Sequence, residues 1–428
     1  MIDGGFTDKS LLKEIALEQS GDLEVLGTGV ARDKMDVVLK YLSIPHSVVI
    51  TGLRRTGKST LFAQIIKKHY SGGAYYFNFE DERLLNFKTE DFNSLYEVLV
   101  ELFGDKKVFF FDEIQNVPDW ESFVRRMQDK GFKFFITGSN ASLLSRELGT
   151  RLTGRTVSVE LFPFSFKEYL SFKGEKIYDA SLQTTKSRGK LKRHFNDYLH
   201  HGGMPEYLKY KDQSLLKRLY EDILYRDIVV RCEIKETKTL RELGLYLLSN
   251  IGGLYSTGNL KNLLSLGSVN TVKSYIGYLE DSYLLFSLSR FSYSLKQQGY
   301  YPKKCYCIDN GLVESIAFQF SKNKGKYLEN LVFLELKRKG KEVFYYKTSK
   351  DKEVDFLVHS KNKPEMLIQV TDNMSNESTK TRETESLLEA MNELKMKEGL
   401  ILTSDQEEEV KVGNKTITIL PIYKWLLI

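Results

Sequence analysis

The stretch that decides the fold is SVVITGLRRTGKS, residues 47–59. A short β-branched run leads to Gly52, and four residues later come Gly57, Lys58 and Ser59. This is the phosphate-loop pattern GxxxxGK[ST], placed where a strand should pass into a helix. It predicts an α/β domain with a strand near residues 47–51 and a helix over residues 58–69.

The chemistry of polyphosphate binding explains these residue types. Backbone N–H groups must approach the phosphates, and a larger side chain than glycine at Gly52 or Gly57 would block them. Lys58 would place a positive charge against the β- and γ-phosphates, Ser59 would offer a hydroxyl to Mg²⁺, and the helix N-terminus would add its dipole. The residues expected to bind the nucleotide, ATP, are Gly52, Arg54, Arg55, Thr56, Gly57, Lys58, Ser59 and Thr60.

A second apolar run, Val108–Phe111, ends in Asp112 and Glu113. Asp112 is expected to hold the Mg²⁺ shell, and Glu113 to take a proton from the attacking water as a general base. The alternative is a solvated acidic pair at a strand end. The phosphate loop upstream favours the functional interpretation.

A third predicted strand, residues 132–139, ends in polar residues. Thr137 and Ser139 could orient water or contact the γ-phosphate, or they could serve ordinary turn chemistry. Arg151 and Arg155 follow in GTRLTGR. Either arginine could stabilise transition-state charge within its own subunit or in a neighbouring one, and a solvated loop arginine is the competing interpretation.

Several motifs together carry a family resemblance. They are GLRRTGKST, VFFFDEIQNV, FFITGSNASLL, LTGRTVSVELFPFSFKEYL, HGGMPEY, LYRDIVVR, YCIDNGL, YLENLVFLEL and KEVDFLV. The chain resembles the archaeal-type P-loop ATPases of the AAA+ class, which join an ATPase core to a winged helix and a C-terminal restriction-endonuclease-like domain. The resemblance runs from about residue 30 to about residue 370.

The resemblance and the motifs together predict an α/β architecture in four parts. These are a P-loop ATPase core over residues 1–170, a helical lid over 171–235, a winged helix over 236–298 and a restriction-endonuclease-like domain over 299–428. The core should hold a parallel sheet with strands near residues 47–51, 74–79, 107–112, 133–137 and 156–161.

Composition agrees with a folded chain of several domains. The 428 residues are 41% hydrophobic, which is ample for packed cores. No apolar stretch reaches the length of a membrane span, and the N-terminus lacks the order of a signal peptide, so a cytoplasmic protein without membrane contact is expected. Cys305 and Cys307 alternate in a probable strand and are expected to share one buried face, as core thiols.

The middle of the chain suggests a nucleic-acid partner. The net charge is +6, and the basic excess lies between residues 171 and 300, much of it in KSRGKLKR at 186–193. Helical patterns at 240–251, 256–264 and 269–279, followed by alternation at 283–293, predict a winged helix. Such a domain could contact duplex DNA, mainly through phosphates, or serve as a protein docking surface, and the basic stretch could be only a solvated linker.

The resemblance also implies a second metal site in the C-terminal domain. Asp355 matches the carboxylate on the first arm of the family's hairpin, and Glu329 matches the helix acid. The second arm departs from the family, because Gln369 and Thr371 stand where a glutamate and a lysine are expected. Gln369 keeps a ligand oxygen for this possible site but lacks the negative charge, and Thr371 cannot supply an ammonium. The loss of one carboxylate weakens Mg²⁺ binding and makes cleavage less favoured, although Lys347 or Lys352 could restore the charge.

These observations predict a Mg²⁺-dependent ATPase, with three hypotheses for what hydrolysis drives. The first is a DNA-associated switch or motor, the second an ATP-regulated nuclease, and the third a nucleotide-switched protein that binds an unknown protein partner. An arginine finger would further imply a homo-oligomer.

Overall fold

A computed structural model describes residues 7–141, 154–175, 184–318 and 324–428. The chain divides into two compact units, Met1–Phe162 and Pro163–Ile428. The four-part division expected from the sequence is finer and stays a prediction. Within the described residues, no helix combines the length and the apolar character needed to cross a bilayer.

The first unit alternates strands with helices. Its strands are β1 (Ser47–Thr51), β2 (Tyr75–Asn78), β3 (Val108–Asp112), β4 (Lys133–Gly138) and β5 (Thr156–Glu160). Its α-helices are α1 (Lys9–Val25), α2 (Met35–Leu39), α3 (Lys58–His69), α4 (Phe92–Phe103) and α5 (Trp120–Asp129). Short 3₁₀ helices lie at Glu82–Leu84, Thr89–Asp91 and Ile114–Asn116.

The five strands form a parallel sheet in the order β2-β3-β4-β1-β5. The predicted parallel sheet is therefore confirmed. Because β4 lies between β1 and β3, the residues that follow β1 and the residues that follow β3 lie on opposite sides of β4. A crevice at the carboxyl ends of such strands is where open α/β sheets bind ligands.

Both faces of this sheet are covered, which explains the unbroken apolar run of β3. Phe109 and Phe111 belong to the core shared with α1, α4 and α5, whereas Phe110 belongs to the core shared with α2 and α3. The rings of Phe110 and Phe135 stack across β3 and β4 with centroids 4.4 Å apart. A parallel sheet buried on two faces requires such continuous hydrophobic strands.

The second unit begins with helices. They are α6 (Phe166–Phe172), α7 (Thr185–His201), α8 (Pro205–Tyr210), α9 (Gln213–Asp222) and a π-helical segment, Ile223–Val230. The basic residues 186–193 lie within α7, so the interpretation of this stretch as a linker is wrong. Lys190 pairs with Glu175 at 2.7 Å and Lys192 with Asp405 at 2.5 Å, while Arg188 is exposed.

A small helical and β module follows in the same unit. Its elements are α10 (Thr237–Ser249), β6 (Leu254–Tyr255), α11 (Thr257–Leu263), α12 (Val269–Asp281), β7 (Leu285–Leu288), α13 (Leu295–Tyr300) and β8 (Lys303–Cys307). The three strands form an antiparallel sheet in the order β6-β8-β7. The second strand expected within residues 283–293 lies instead at β8, past the predicted boundary at residue 298. Cys305 and Cys307 are both buried in β8, as expected.

The rest of the second unit is built on a mixed six-stranded sheet. Its elements are α14 (Asn310–Ile316), α15 (Lys324–Arg338), β9 (Glu342–Lys347), β10 (Glu353–Ser360), β11 (Lys363–Val370), α16 (Glu377–Glu393), β12 (Glu398–Thr403), β13 (Glu408–Val412), β14 (Lys415–Pro421) and α17 (Ile422–Trp425). The strand order is β13-β14-β12-β11-β10-β9. The hairpin on which the resemblance places Asp355 and Gln369 is formed by β10 and β11.

Candidate nucleotide-binding site

The phosphate loop, residues 52–57, leaves the buried strand β1 and enters α3. Gly52, Arg55 and Gly57 have positive φ angles of 151°, 62° and 94°. A Cβ atom at Gly52 would overlap the carbonyl oxygen of Leu161, so both space and conformation require glycine there. Left-handed residues set among right-handed ones turn N–H groups toward a common concavity, and such a concavity suits an anion.

Lys58 is the first residue of α3, and its ammonium is buried against the loop. Its Nζ atom lies 3.1 Å from the carbonyl oxygen of Gly52 and 3.3 Å from that of Leu53. It also lies 3.1 Å from Oε1 of Glu113. The positive charge is therefore placed between the loop and the acidic end of β3, with partners that phosphate oxygens could replace.

Asp112 ends β3 and is completely buried. The Ser59 hydroxyl bonds to its carboxylate, Thr137 donates to Oδ1, and the Tyr76 hydroxyl donates to Oδ2 at 3.1 Å. Burial raises the pKa of Asp112, and the adjacent Glu113 raises it further, against the hydrogen bonds from Ser59 and Thr137. The predicted magnesium ligands Ser59 and Asp112 are thus in direct contact.

Glu113 has a left-handed backbone conformation, with φ 51° and ψ 42°. Its N–H donates to Oγ1 of Thr137 at 2.9 Å, and Nε2 of Gln115 donates to its Oε2 at 2.5 Å. Burial acts to raise the pKa of Glu113, but Lys58 and the Gln115 hydrogen bond outweigh it, so the pKa is lowered. The pKa values of these two neighbouring carboxyls are therefore shifted in opposite directions.

The other predicted residues of the loop and of β4 reach the same edge of the sheet. Thr137 contacts both Asp112 and Glu113, and Ser139 is buried, with its Oγ 3.3 Å from Nε2 of Gln115. Arg54 pairs with Glu80 at 2.7 Å, while Arg55 is exposed. Thr56 caps the loop by donating to the carbonyl oxygen of Leu53 at 2.8 Å.

The structure does not bring Arg155 to this edge. Arg155 precedes β5, whose first residue pairs with Ser47 at the start of β1, so it lies at the opposite edge of the parallel sheet. Its guanidinium pairs with Asp129. The prediction that Arg155 contacts the phosphates bound to its own subunit is therefore wrong, and a role toward a neighbouring subunit stays a prediction. Arg151 lies outside the described residues.

Three residues of the site were missed by the sequence analysis. The buried Arg32 donates to the carbonyl oxygens of Thr56 at 2.7 Å and Phe162 at 2.6 Å, and so clamps the loop from upstream. Tyr76 reaches Asp112 only because β2 neighbours β3, which the sequence does not reveal. Gln115 could have been noticed, because it stands two residues after Glu113.

The second unit brings Glu329 and Asp355 together, but around a lysine. Nζ of Lys304, on β8, lies 2.7 Å from Oε1 of Glu329, 2.8 Å from Oε1 of Glu353 and 3.0 Å from Oδ1 of Asp355. Burial would lower the pKa of Lys304, but the Tyr306 hydroxyl and the three carboxylates raise it well above its ordinary value. Burial and Asp355 raise the pKa of Glu329 to about 7.

The expected second metal site is therefore not formed. The described residues contain no group of three or more histidine, cysteine, aspartate or glutamate side chains that could hold a metal ion. Gln369 uses its Oε1 to accept the N–H of Asp355 at 3.2 Å and its Nε2 to donate to Glu383 at 2.7 Å. The lysine that joins the carboxylates is Lys304, because Lys347 pairs with Asp351 and Lys352 with Glu385.

Comparisons with known families agree with the site in the first unit. Residues 45–170 match the family described as "AAA domain". Residues 192–323 match a domain of unknown function, DUF8612, and residues 324–425 match another, DUF4143.

Two curated relatives cover nearly the whole chain. An uncharacterized protein of Methanocaldococcus jannaschii is 38% identical over 98% of this chain and 96% of its own length. An uncharacterized protein of Haemophilus influenzae is 30% identical over 89% of this chain and 94% of its own length. Among solved structures, a match to the Aeropyrum pernix ORC1 protein in complex with DNA covers 67% of this chain and 93% of that chain, at 15% identity and a TM-score of 0.30.

Proposed function

The chain belongs to the family of these archaeal and bacterial proteins and carries an AAA domain, and from this premise we propose that it is a Mg²⁺-dependent ATPase. The observation that carries the proposal is the position of Lys58. Its ammonium lies within about hydrogen-bond distance of the glycine loop and of Glu113, beside the contact between Ser59 and Asp112. The residues proposed to bind phosphate, to hold the metal and to act as the base therefore lie together at the carboxyl ends of the strands.

The donor set at this edge fits Mg²⁺. Mg²⁺ prefers oxygen ligands, and protein sites usually give it one or two carboxylates together with substrate phosphates. Asp112 and Ser59 supply a buried carboxylate and a hydroxyl in mutual contact. When bound, the ion would neutralise charge on the β- and γ-phosphates.

The protein's own residues would bind and orient the substrate. Lys58 would exchange the carbonyl oxygens of Gly52 and Leu53 for phosphate oxygens, and the N–H groups of the loop would hold the phosphates. Glu113 would then be released from Lys58 and would accept a proton from the attacking water. The lowered pKa of Glu113 means that the base is ionised before the substrate arrives.

The first test compares ATP turnover and nucleotide binding in two variants. Glu113→Gln should lower turnover by about 10²–10⁴-fold, the usual contribution of a general base, and should still bind a slowly hydrolysed ATP analogue. Lys58→Ala should weaken binding of that analogue by about 10- to 100-fold, because a hydrogen bond from a charged donor is worth about 1.5–3 kcal/mol. Steady-state phosphate release and isothermal titration measure both effects.

Glu97→Gln is a matched control, since Glu97 pairs with Lys9 on the exposed surface of the same unit. It should leave turnover unchanged. If Glu113→Gln turned over ATP as fast as Glu97→Gln, Glu113 would not be the base. If the unmodified protein neither bound nor hydrolysed ATP with Mg²⁺, the proposed function would be wrong.

We further propose that the ATPase acts together with duplex DNA. The order of α10, β6, α11, α12, β7 and β8, with α13 between the last two strands and a β6-β8-β7 sheet, is the arrangement expected of a winged helix. Lys186, Arg188 and Arg193 are three exposed basic residues of α7 and offer phosphate contacts nearby in sequence. DNA should then raise ATP turnover, and the proposal fails if turnover and nucleotide affinity are the same with and without DNA.

The nuclease hypothesis receives less support. Lys304 fills the space among the carboxylates of Glu329, Glu353 and Asp355, so a metal would have to displace a buried ammonium. Gly252 also approaches this cluster, because a Cβ atom there would lie 3.1 Å from Oε2 of Glu329. We therefore expect the protein to leave DNA uncut in Mg²⁺ or Mn²⁺. Metal-dependent cutting that disappears in Asp355→Ala would contradict this expectation.

A further inference from the structure

Gln115 occupies a fixed place beside the proposed base. Glu113 turns the chain with its left-handed conformation, and a 3₁₀ turn over Ile114–Asn116 follows at once. Ile114 is completely buried, and the Asn116 side chain donates to the carbonyl oxygen of Phe79 at 3.1 Å. The turn is therefore anchored on both sides of Gln115, which returns its amide toward Glu113.

The hydrogen bonds fix the orientation of this amide. Nε2 lies 2.5 Å from Oε2 of Glu113 and 3.3 Å from Oγ of Ser139. A flipped amide would set its oxygen against a carboxylate oxygen, and two acceptors repel each other. Nε2 must therefore face Glu113, and Oε1 must point away from it.

Oε1 of Gln115 is buried and has no hydrogen-bond partner among the described residues. Such an acceptor normally finds a partner, because a buried acceptor without one costs about 1–3 kcal/mol. The missing partner alone does not distinguish Gln115, since Oε1 of Gln128, at the other edge of the sheet, is also buried without a hydrogen-bond partner among the described residues. What distinguishes Gln115 is that its acceptor lies on the same amide that holds Glu113.

The partners of Glu113 show when this amide matters. Oε1 of Glu113 faces the Lys58 ammonium at 3.1 Å, and Oε2 accepts from Gln115. If Lys58 turns to phosphate, as the proposed function requires, Gln115 is the described side chain that still holds the carboxylate. The amide would then fix the base while its oxygen accepts a hydrogen bond from the water next to it.

We propose that Gln115 is the positioning residue for hydrolysis, and that its amide holds Glu113 with Nε2 and orients the attacking water with Oε1. This inference rests on the proposed ATPase function. In the step concerned, the water oxygen bonds to the γ-phosphorus and its proton passes to Glu113. The bond from the γ-phosphorus to the bridging oxygen breaks, and ADP leaves with that electron pair. A glutamine that orients water has a precedent in GTP hydrolysis.

The test uses Gln115→Met, which keeps the length of the side chain and removes the amide. Gln115→Asn, which keeps the amide on a shorter side chain, is the second variant. Gln128→Met is the matched control, because Nε2 of Gln128 also donates to a serine, Ser47, at 2.7 Å, far from Glu113. We measure kcat, KM for ATP, and the affinity for a slowly hydrolysed analogue in the presence of Mg²⁺.

Gln115→Met should lower kcat by about 10- to 100-fold, a part of the 10²–10⁴-fold worth of general-base catalysis. Analogue affinity should stay within about twofold, because Gln115 does not bind the phosphates. The kcat of Gln115→Asn should lie below that of the unmodified protein, and Gln128→Met should have the kcat of the unmodified protein.

The outcomes separate this inference from the function on which it rests. If Glu113→Gln is inactive while Gln115→Met keeps kcat within about twofold, the ATPase stands and the role of Gln115 is wrong. If Gln115→Met weakens the analogue as much as it lowers kcat, Gln115 shapes the site only structurally, and the inference is again overturned. If the unmodified protein hydrolyses no ATP, both proposals fall. Should Gln115→Met fail to fold, Gln115→Asn decides by the same criteria.

Discussion

Among the residues that the structure describes, the buried lysines Lys58 and Lys304 both face carboxylates, and their surroundings give them different chemistry. Lys58 has one carboxylate partner, Glu113, and two carbonyl oxygens of a loop whose N–H groups suit an anion. An incoming phosphate can replace these partners, and the amide of Gln115 still donates to Glu113 when Lys58 turns away. Lys304 is 2% exposed and has three carboxylates around it, so its positive charge is balanced by ion pairs within the protein. The first lysine can exchange partners, whereas the second stabilises the fold.

Lys304→Met should therefore destabilise the second unit. The substitution keeps most of the apolar stem but leaves Glu329, Glu353 and Asp355 without their cation, and removal of one partner from a buried ion pair costs about 3–5 kcal/mol. Urea unfolding followed by circular dichroism measures the loss. The additional change Glu329→Gln should recover part of it, because it removes one of the uncompensated charges.

Lys380→Met is the control for this comparison. Lys380 pairs with Glu408 at 2.9 Å on the surface of the same unit, and exposed pairs contribute at most about 1 kcal/mol. Equal losses in Lys304→Met and Lys380→Met would show that the buried cluster contributes nothing special to stability.

At the scale of elements, Asp309 joins the start of α14 to the turn that follows α7. It is the N-cap of α14, where its Oδ1 accepts the N–H groups of Gly311 at 2.8 Å and Leu312 at 3.3 Å. Its Oδ2 accepts the N–H of Gly203 at 2.6 Å, just after α7 ends. Gly202 is held there with φ 67°, and a Cβ atom on it would overlap the Asp309 carboxylate. One buried carboxylate thus fixes the end of α7 against the start of α14.

Asp309 should make stability depend on pH in the acid range. Burial raises its pKa from 3.8 to about 6, against the backbone hydrogen bonds that lower it. Between these values the folded protein keeps a proton that the unfolded chain releases. The contribution of Asp309 is therefore full below pH 3.8 and is lost as pH rises to about 6. A shift of about two units corresponds to about 3 kcal/mol.

Urea unfolding at a series of pH values tests this sign. The stability difference between the unmodified protein and Asp309→Asn should shrink by about 2 kcal/mol between pH 4 and pH 6.5, because asparagine does not titrate. Asp212→Asn is the control, since Asp212 caps α9 on the surface and its hydrogen bonds from Ser214 lower its pKa. Its difference should change in the opposite direction. A difference for Asp309→Asn that is constant with pH would contradict the assigned burial effect.

At the scale of the whole molecule, the local sequence pattern predicted most helices and strands but few of the contacts between them. The strand and helix around Gly52 and Lys58 and the hairpin around Asp355 follow from periodicity and from motifs of local spacing. Periodicity does not record which strands become neighbours. Tyr76 beside Asp112, Lys304 among the carboxylates and Arg155 at the far edge of the sheet all depend on strand order and on contacts between distant segments, so the sequence alone could not place them.

The proposed binding of duplex DNA should depend on salt concentration in a way that can be tested. If α7 contacts DNA phosphates, replacing Lys186, Arg188 and Arg193 by glutamine should weaken duplex binding for any sequence. The magnitude of the slope of log affinity against log salt should fall by about 0.9 for each lost phosphate contact, or by nearly 3 in the triple variant. Fluorescence anisotropy with a labelled duplex at several salt concentrations measures both the affinity and the slope.

The control variant replaces the exposed Lys361, Lys363 and Lys397 by glutamine. It removes the same charge elsewhere in the unit and should leave the slope unchanged. Identical slopes in the two triple variants would show that α7 does not contact DNA and that only net charge attracts it.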